Sequence, residues 1–170
     1  MIRELEKARQ FKRKLKPNQV CLGAQIALSD PAVAEIFERA GFDRLVIDTE
    51  HSAQSLLTVQ SLLQAATATD TVALARPLRL DADEIRRFLD LGSPGVLCPL
   101  INSGEDARLL VNACRYPPAG IRGWAPRRAA RYGFDTAEYI DRTGAELDIW
   151  GPDCAAIVTM SICLANSCAQ

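Results

Sequence analysis

The residues with the clearest chemical potential follow a short apolar run, Leu-Val-Ile at residues 45–47. Two carboxylates, Asp48 and Glu50, come next, followed by His51, the only histidine of the 170-residue chain. The run predicts a buried strand that carries these polar groups at its carboxyl end. Because histidine moves protons near neutral pH, we expect a general base oriented by carboxylates, which could also help to hold a cation. The alternative is that His51 is a hydrogen-bonded loop residue.

A second charged group, Arg76, ends the apolar run at residues 72–75. The carboxyl ends of the parallel strands in a barrel meet at one edge, so Arg76 is expected at the same end as His51. A fixed guanidinium beside a histidine base suits a carbonyl or carboxylate substrate, because arginine can stabilise an enolate oxygen while the base moves a proton. A cation could share that work as a Lewis acid. The alternative is a structural salt bridge from Arg76 to Asp48 or Glu50.

These groups sit in a regular alternation of strand and helix patterns, with units of about 25 residues. Strands are predicted at residues 20–28, 45–47, 72–75 and 95–99, and helices at 2–16, 31–40, 55–68, 82–91 and 105–114. The strands are apolar throughout, which is typical of strands covered on both faces. This pattern predicts a parallel α/β architecture. Because no glycine-rich phosphate loop follows the first strand, a TIM-type barrel is favoured over a nucleotide-binding open sheet.

Two helix starts carry local capping signals. Asp30 precedes a proline at the first helical position, and Asp81 and Glu84 have the spacing of a capping box. The segment at residues 116–139 is predicted to be a long irregular loop, either functional on the barrel rim or a surface and subunit-contact loop. Its arginines, which could gather anionic groups, are Arg122, Arg127, Arg128 and Arg131.

Composition excludes several function classes. The net charge of −1 gives no indication of nucleic acid, and the basic residues 12–14 are most simply the solvated face of the first helix. No apolar run is long enough to span a membrane, and the charged amino terminus does not resemble a signal peptide. The six cysteines contain no Cys-x-x-Cys pair, so reduced thiols and a cytoplasmic location are expected.

Several segments, in this order along the chain, resemble the HpcH/HpaI aldolase family. They cover about residues 11–139 and are Ala40-Gly41-Phe42-Asp43, Ile47-Asp48-Thr49-Glu50-His51, Ala75-Arg76-Pro77, Phe88-Leu89-Asp90-Leu91-Gly92, residues 95–99, and Arg115-Tyr116-Pro117-Pro118 with Gly120 and Arg122-Gly123. The resemblance implies a (β/α)₈ barrel of the phosphoenolpyruvate/pyruvate-binding superfamily. It also implies a class II aldolase, dependent on a divalent metal (Mg²⁺ or Mn²⁺), that cleaves 4-hydroxy-2-oxo acids to pyruvate or a related 2-oxo acid plus an aldehyde. A homo-oligomer is implied as well.

The resemblance also implies roles for individual residues. It makes His51 the general base, Arg76 the substrate-binding residue that stabilises the enolate, and Asp90 the group that raises the basicity of the histidine. Asp90 closes a predicted helix and should therefore lie at the opposite end of its own barrel from His51. It could then serve a histidine only across a subunit interface, whereas Asp48 or Glu50 is the simpler partner within one chain.

The resemblance stops before the metal site. Neither the family's Gln-Ile-Glu motif at the end of strand five nor its later aspartate is found, so no metal ligand is identified. Residues 146–150 read as the start of strand five, and the rhythm is lost over residues 151–170. A complete barrel needs at least about 200 residues. We therefore expect about five βα units in a partial aldolase domain over residues 1–150 and an aberrant tail, from a truncated or frame-shifted gene.

Two function hypotheses remain open from the sequence. The first is the family's metal-dependent aldolase reaction, and the second is a non-catalytic remnant or an assembly partner of an intact homologue. A weaker third hypothesis keeps the barrel but changes the chemistry to oxaloacetate decarboxylation through the same enolate.

Overall fold

The computed structural model describes residues 2–15, 19–146 and 148–150. The helices are α1 (Ile2–Lys14), α2 (Pro31–Arg39), α3 (Leu56–Ala65), α4 (Ala82–Asp90), α5 (Gly104–Cys114) and α6 (Thr136–Glu146), with a 3₁₀ segment over Arg128–Gly133. The strands are β1 (Gly23–Ile26), β2 (Arg44–Asp48), β3 (Val72–Arg76), β4 (Gly95–Leu97) and β5 (Asp148–Trp150). Predictions for residues 151–170 lie outside the described residues.

The strands form one five-stranded sheet in the order β1-β2-β3-β4-β5, and every neighbouring pair is parallel. One helix connects each of the first three strands to the next, and α5, the 3₁₀ segment and α6 lie between β4 and β5. The predicted parallel α/β architecture is therefore confirmed. β1 is shorter than the predicted strand at residues 20–28, because only residues 23–26 pair with β2. Val20, which the apolar pattern included, is 88% exposed.

Both faces of the sheet are covered in the middle strands. On β3, Ala73 and Ala75 belong to the main core beneath α2–α5. Val72 and Leu74 point to the opposite face, where Phe11 of α1 packs against them. Alternate residues of a strand face opposite sides, so Arg76 at the end of β3 lies on the α1 side of the sheet. By the same alternation, Asp48 at the end of β2 is on that side too.

Helix starts agree with the capping signals. The Asp30 carboxylate accepts a hydrogen bond from Ala32 N at 2.9 Å, and the Asp81 carboxylate accepts one from Glu84 N at 2.9 Å. Glu84 does not complete the reciprocal half of the capping box, because its carboxylate accepts from Leu78 N at 3.2 Å. This bond ties the loop after β3 to the first turn of α4.

The prediction of an irregular loop over residues 116–139 is partly wrong. The segment contains the 3₁₀ turn, and α6 begins at Thr136. The segment packs against α1, because Ala129, Ala130 and Tyr139 form a second apolar cluster with Leu5. Such long-range packing is not visible in local sequence patterns.

One of the two alternatives for this segment was that its arginines gather anions on the barrel rim, and two of them do not fit it. Arg122 is buried against Asp90, and Arg128 donates hydrogen bonds to the carbonyl oxygens of Leu91 (2.9 Å) and Leu63 (3.4 Å). Asp90 ends α4, which leads back to the start of β4, so these contacts lie at the amino-terminal edge of the sheet. Among the described residues, no helix combines the length and apolar character needed to cross a bilayer.

Candidate active site

Polar side chains from three adjacent strands meet at the carboxyl edge of the sheet. Asp48 and Arg76 are register partners at the ends of β2 and β3. Gln25 lies on β1 beside Val46, and its side chain reaches forward to Asp48. His51 follows β2 by three residues. The structure therefore brings His51 and Arg76 to the same edge, as the parallel arrangement predicts.

Asp48 is buried, and both of its carboxylate oxygens have hydrogen-bond donors. Oδ1 accepts from the backbone N–H groups of Glu50 (2.9 Å) and His51 (3.2 Å), and Oδ2 accepts from the side-chain amide of Gln25. Ser52 Oγ donates to the Asp48 carbonyl oxygen. Asp48 thus fixes the turn that carries His51, and it acts on the backbone of that turn and not on the imidazole.

The imidazole of His51 is open to solvent. Its side chain is 68% exposed, and Nε2 lies 3.5 Å from Glu50 Oε2. The carboxylate nearest to the imidazole is therefore Glu50. An exposed imidazole with a neighbouring carboxylate has the access that a general base needs to reach a substrate proton.

Arg76 forms the salt bridges that the structural alternative predicted. Its Nη2 is paired with Glu50 Oε2, and its Nη1 lies 3.7 Å from Asp48 Oδ2, too far for a hydrogen bond. Arg76 Nε is buried and has no hydrogen-bond partner among the described residues. Since Glu50 Oε2 contacts both Arg76 and His51, a single carboxylate oxygen links the candidate base to the candidate enolate-binding group.

The structure places Asp90 elsewhere. Its carboxylate accepts from Arg122 Nη2 at 2.7 Å, and that arginine also donates to Tyr139 OH at 3.2 Å and lies 4.5 Å from the centre of the Tyr116 ring. Burial raises the pKa of Asp90, while Arg122 opposes the rise. Asp90 is therefore paired within its own chain at the edge opposite His51, and its implied role toward another subunit's histidine stays a prediction.

The described residues do not fit a complete metal site. None of them form a group of three or more His, Cys, Asp or Glu side chains that could hold a metal ion. The two carboxylates at the strand ends, Asp48 and Glu50, both face the positive charge of Arg76. A cation bound by these two groups would lie close to that charge and would be repelled by it.

Sequence reasoning missed two polar side chains near this edge. Gln25 interrupts the apolar pattern of the first strand, and that interruption was the available signal. Gln54, three residues after His51, has both side-chain amide atoms buried with no hydrogen-bond partner among the described residues. No sequence pattern distinguished it from an ordinary loop glutamine.

Comparison with known proteins gives the family. The sequence profile described as HpcH/HpaI aldolase/citrate lyase matches residues 22–165. A 4-hydroxy-2-oxovalerate aldolase of Rhodococcus jostii is 41% identical over 124 residues, which are 72% of this chain and 48% of the relative. A hydroxypyruvate/pyruvate aldolase of Pseudomonas aeruginosa is 36% identical over 139 residues, 81% of this chain and 52% of the relative. The chain thus spans about half the length of these curated relatives.

Solved structures agree with this assignment. A HpcH/HpaI aldolase/citrate lyase family protein of Burkholderia cenocepacia has a TM-score of 0.78 at 27% identity, over 85% of this chain and 58% of that one. Macrophomate synthase, at 20% identity, supports the fold alone with a TM-score of 0.71, over 85% of this chain and 52% of that one. The five parallel strands correspond to part of a TIM-barrel-type fold. The chain belongs to the HpcH/HpaI aldolase/citrate lyase family.

Proposed function

We propose that the protein is a carbon–carbon lyase that cleaves 4-hydroxy-2-oxo acids to pyruvate, or a related 2-oxo acid, and an aldehyde. The observation that carries the proposal is the contact of Glu50 Oε2 with both His51 Nε2 (3.5 Å) and Arg76 Nη2. It sets a proton-transfer group beside a fixed cation at the sheet edge where barrel enzymes hold their active sites. Aldolase relatives, about half of whose length the chain spans, support the same reaction class.

In the cleavage direction, neutral His51 accepts the proton of the C4 hydroxyl group. The C3–C4 bond breaks, the C4 oxygen becomes the carbonyl of the departing aldehyde, and the bond electrons form the enolate of the 2-oxo acid. Arg76 stabilises the enolate oxygen. Its Nη1 is the donor for that oxygen, because it lies 3.7 Å from Asp48 Oδ2 and makes no hydrogen bond to it. The protonated His51 then returns that proton to C3, which completes the product and restores the base. Asp48 holds the turn of His51, and Glu50 holds Arg76 beside it.

A divalent cation, Mg²⁺ or Mn²⁺, belongs to the proposal through the family resemblance. When bound, such a cation polarises the 2-oxo group as a Lewis acid. The described residues do not contain its ligand set, so the steps above rest on the chain's own side chains. A homo-oligomer and a cytoplasmic location stay predictions from the sequence.

One observation favours a second function. Because the described residues lack a group of metal-binding side chains, the chain could instead be a non-catalytic member of the family or an assembly partner of an intact homologue. This alternative predicts a folded chain that binds other subunits and has no cleavage activity of its own.

The test is pyruvate release from a 4-hydroxy-2-oxo acid by the purified chain, with and without Mg²⁺ or Mn²⁺. We expect release that falls by about 10²–10⁴-fold in His51→Ala, the range for loss of a general base, and the two conditions measure how far this release depends on the metal. Gln64→Ala, on the exposed side of α3, is the matched control and should match the wild type. A folded chain without release would support the non-catalytic alternative, and full release by His51→Ala would refute the assignment of the base.

A further inference from the structure

We propose that Gln25 is a positioning residue of the site, which holds Asp48 and thereby sets the positions of the His51 turn and of Arg76. This inference rests on the proposed aldolase function. It assigns a role to β1, which contributes none of the residues implied by the family resemblance. The geometry that carries it is the hydrogen bond from the Gln25 side-chain amide to Asp48 Oδ2.

The strand register explains this contact. Gln25 is the register partner of Val46, two residues before Asp48 on β2. Residues two apart on a strand share a face, so the side chains of Gln25 and Asp48 lie on the same side of the sheet. A glutamine is long enough to cover the remaining distance along the strand direction.

The two oxygens of Asp48 have separate tasks. Oδ1 is occupied by the N–H groups of Glu50 and His51, so Oδ2 must find its donor elsewhere. Gln25 supplies that donor, while Arg76 Nη1 stays 3.7 Å away. The neutral amide therefore satisfies Oδ2 without drawing the guanidinium onto it.

Without Gln25, the buried Oδ2 would attract Arg76. A charge-assisted N–H···O bond is about 2.7–2.9 Å long, so Nη1 would move by about 1 Å toward Asp48, and Nη2 would be drawn away from Glu50. The turn of His51 would follow any rotation of the Asp48 carboxylate. A misplacement of about 1 Å in a catalytic site lowers the rate by up to about 10²-fold.

The first readout needs no activity. His51 is the only histidine, so its imidazole C–H signals are unambiguous in a ¹H–¹³C NMR spectrum. Gln25→Met keeps the side-chain length and removes the donor, and we expect it to shift these signals. Gln64→Met makes the same exchange on the exposed side of α3 and should leave them in place.

The second readout is cleavage of a 4-hydroxy-2-oxo acid. For Gln25→Met we expect kcat/KM to fall by about 10–100-fold, with a raised KM from the displaced Arg76 and a lowered kcat from the loosened turn of His51. Gln25→Glu keeps the shape and replaces the donor by an anion that competes for Arg76, so its loss should be larger. It also provides a second variant should Gln25→Met fail to fold.

The outcomes separate this inference from the proposed function. If the wild type has no cleavage activity, the proposed function fails, and the His51 signals still test the role of Gln25. If the signals of both Gln25 variants superimpose on those of the wild type and kcat/KM equals that of Gln64→Met, Gln25 is not a positioning residue.

Discussion

The buried pair of Arg122 and Asp90 makes a quantitative prediction for stability. The Arg122 side chain is fully buried, and Asp90 Oδ1 accepts from its Nη2 at 2.7 Å. In Asp90→Ala the guanidinium loses its carboxylate partner and keeps, among the described residues, the Tyr139 hydroxyl at 3.2 Å and the faces of the Tyr116 and Tyr139 rings. Removing one partner of a buried ion pair costs about 3–5 kcal/mol, so we expect the free energy of unfolding to fall by that amount.

The opposite deletion should cost less. In Arg122→Met the remaining carboxylate of Asp90 has a side chain that is 16% exposed, and burial already raises its pKa, so it can be hydrated or take up a proton. We expect a loss of about 1–3 kcal/mol, which is the range for an unsatisfied buried polar group. The double variant should lose less than the sum of the two single losses, because no unpaired buried charge remains.

Urea unfolding followed by circular dichroism at pH 7 measures all three variants against the wild type. Folded domains have a total stability of about 5–15 kcal/mol, so Asp90→Ala should lower the urea midpoint severely or leave the chain partly unfolded in water. The reasoning is refuted if Asp90→Ala lies within about 1 kcal/mol of the wild type, or if the single losses add up in the double variant.

The structure makes three further predictions, for two buried thiols, for a glycine and for the ion pair of the site. Burial raises the pKa of Cys98 and Cys114 to about 12. Iodoacetamide at pH 8 should therefore leave both thiols unlabelled in the folded chain, as measured by peptide mass spectrometry. The free energy of unfolding should fall above about pH 9, because the thiols of the unfolded chain ionise there while those of the folded chain do not. A Cβ at Gly120 would overlap two backbone carbonyl oxygens, so Gly120→Ala should lower the urea midpoint. A Cβ at Gly123 would contact only a flexible arginine side chain, so Gly123→Ala should leave the midpoint unchanged. Equal midpoints for the two variants would contradict this reasoning. Glu50→Gln removes the charge that holds the site arginine, so kcat/KM for cleavage should fall at least about 10-fold, and an unchanged value would show that this ion pair does not position the arginine.

The element order from α1 to α5 could be predicted from the sequence because the first four strands are short apolar runs, and because the helices between them have periodic apolar faces and, at two starts, capping signals. The extent of β1 could not be predicted in this way. A strand ends where its pairing with the neighbouring strand ends, and only residues 23–26 pair with β2. Val20 and Leu28 are apolar and yet exposed, so they extended the predicted strand beyond its paired part at both ends.

The candidate site was predictable in part for a similar reason. His51 and Arg76 follow neighbouring strands, and parallel strands bring their carboxyl ends to one edge. The link from Gln25 to Asp48 depends on the register between β1 and β2, which the sequence does not specify. The burial of Arg122 depends on packing between α4 and a segment more than thirty residues later, and local sequence patterns do not specify such packing.

The most direct test of the central claim is proton exchange at the methyl group of pyruvate, followed by ¹H NMR in D₂O with Mg²⁺ or Mn²⁺ present. Exchange requires the enolate and a base but no aldehyde, so it isolates the step assigned to His51 and Arg76. We predict that the folded wild-type chain accelerates exchange and that His51→Ala loses about 10²–10⁴-fold of that acceleration while keeping its circular dichroism spectrum. Exchange by His51→Ala at the wild-type rate, or no exchange by the folded wild type, would contradict the account.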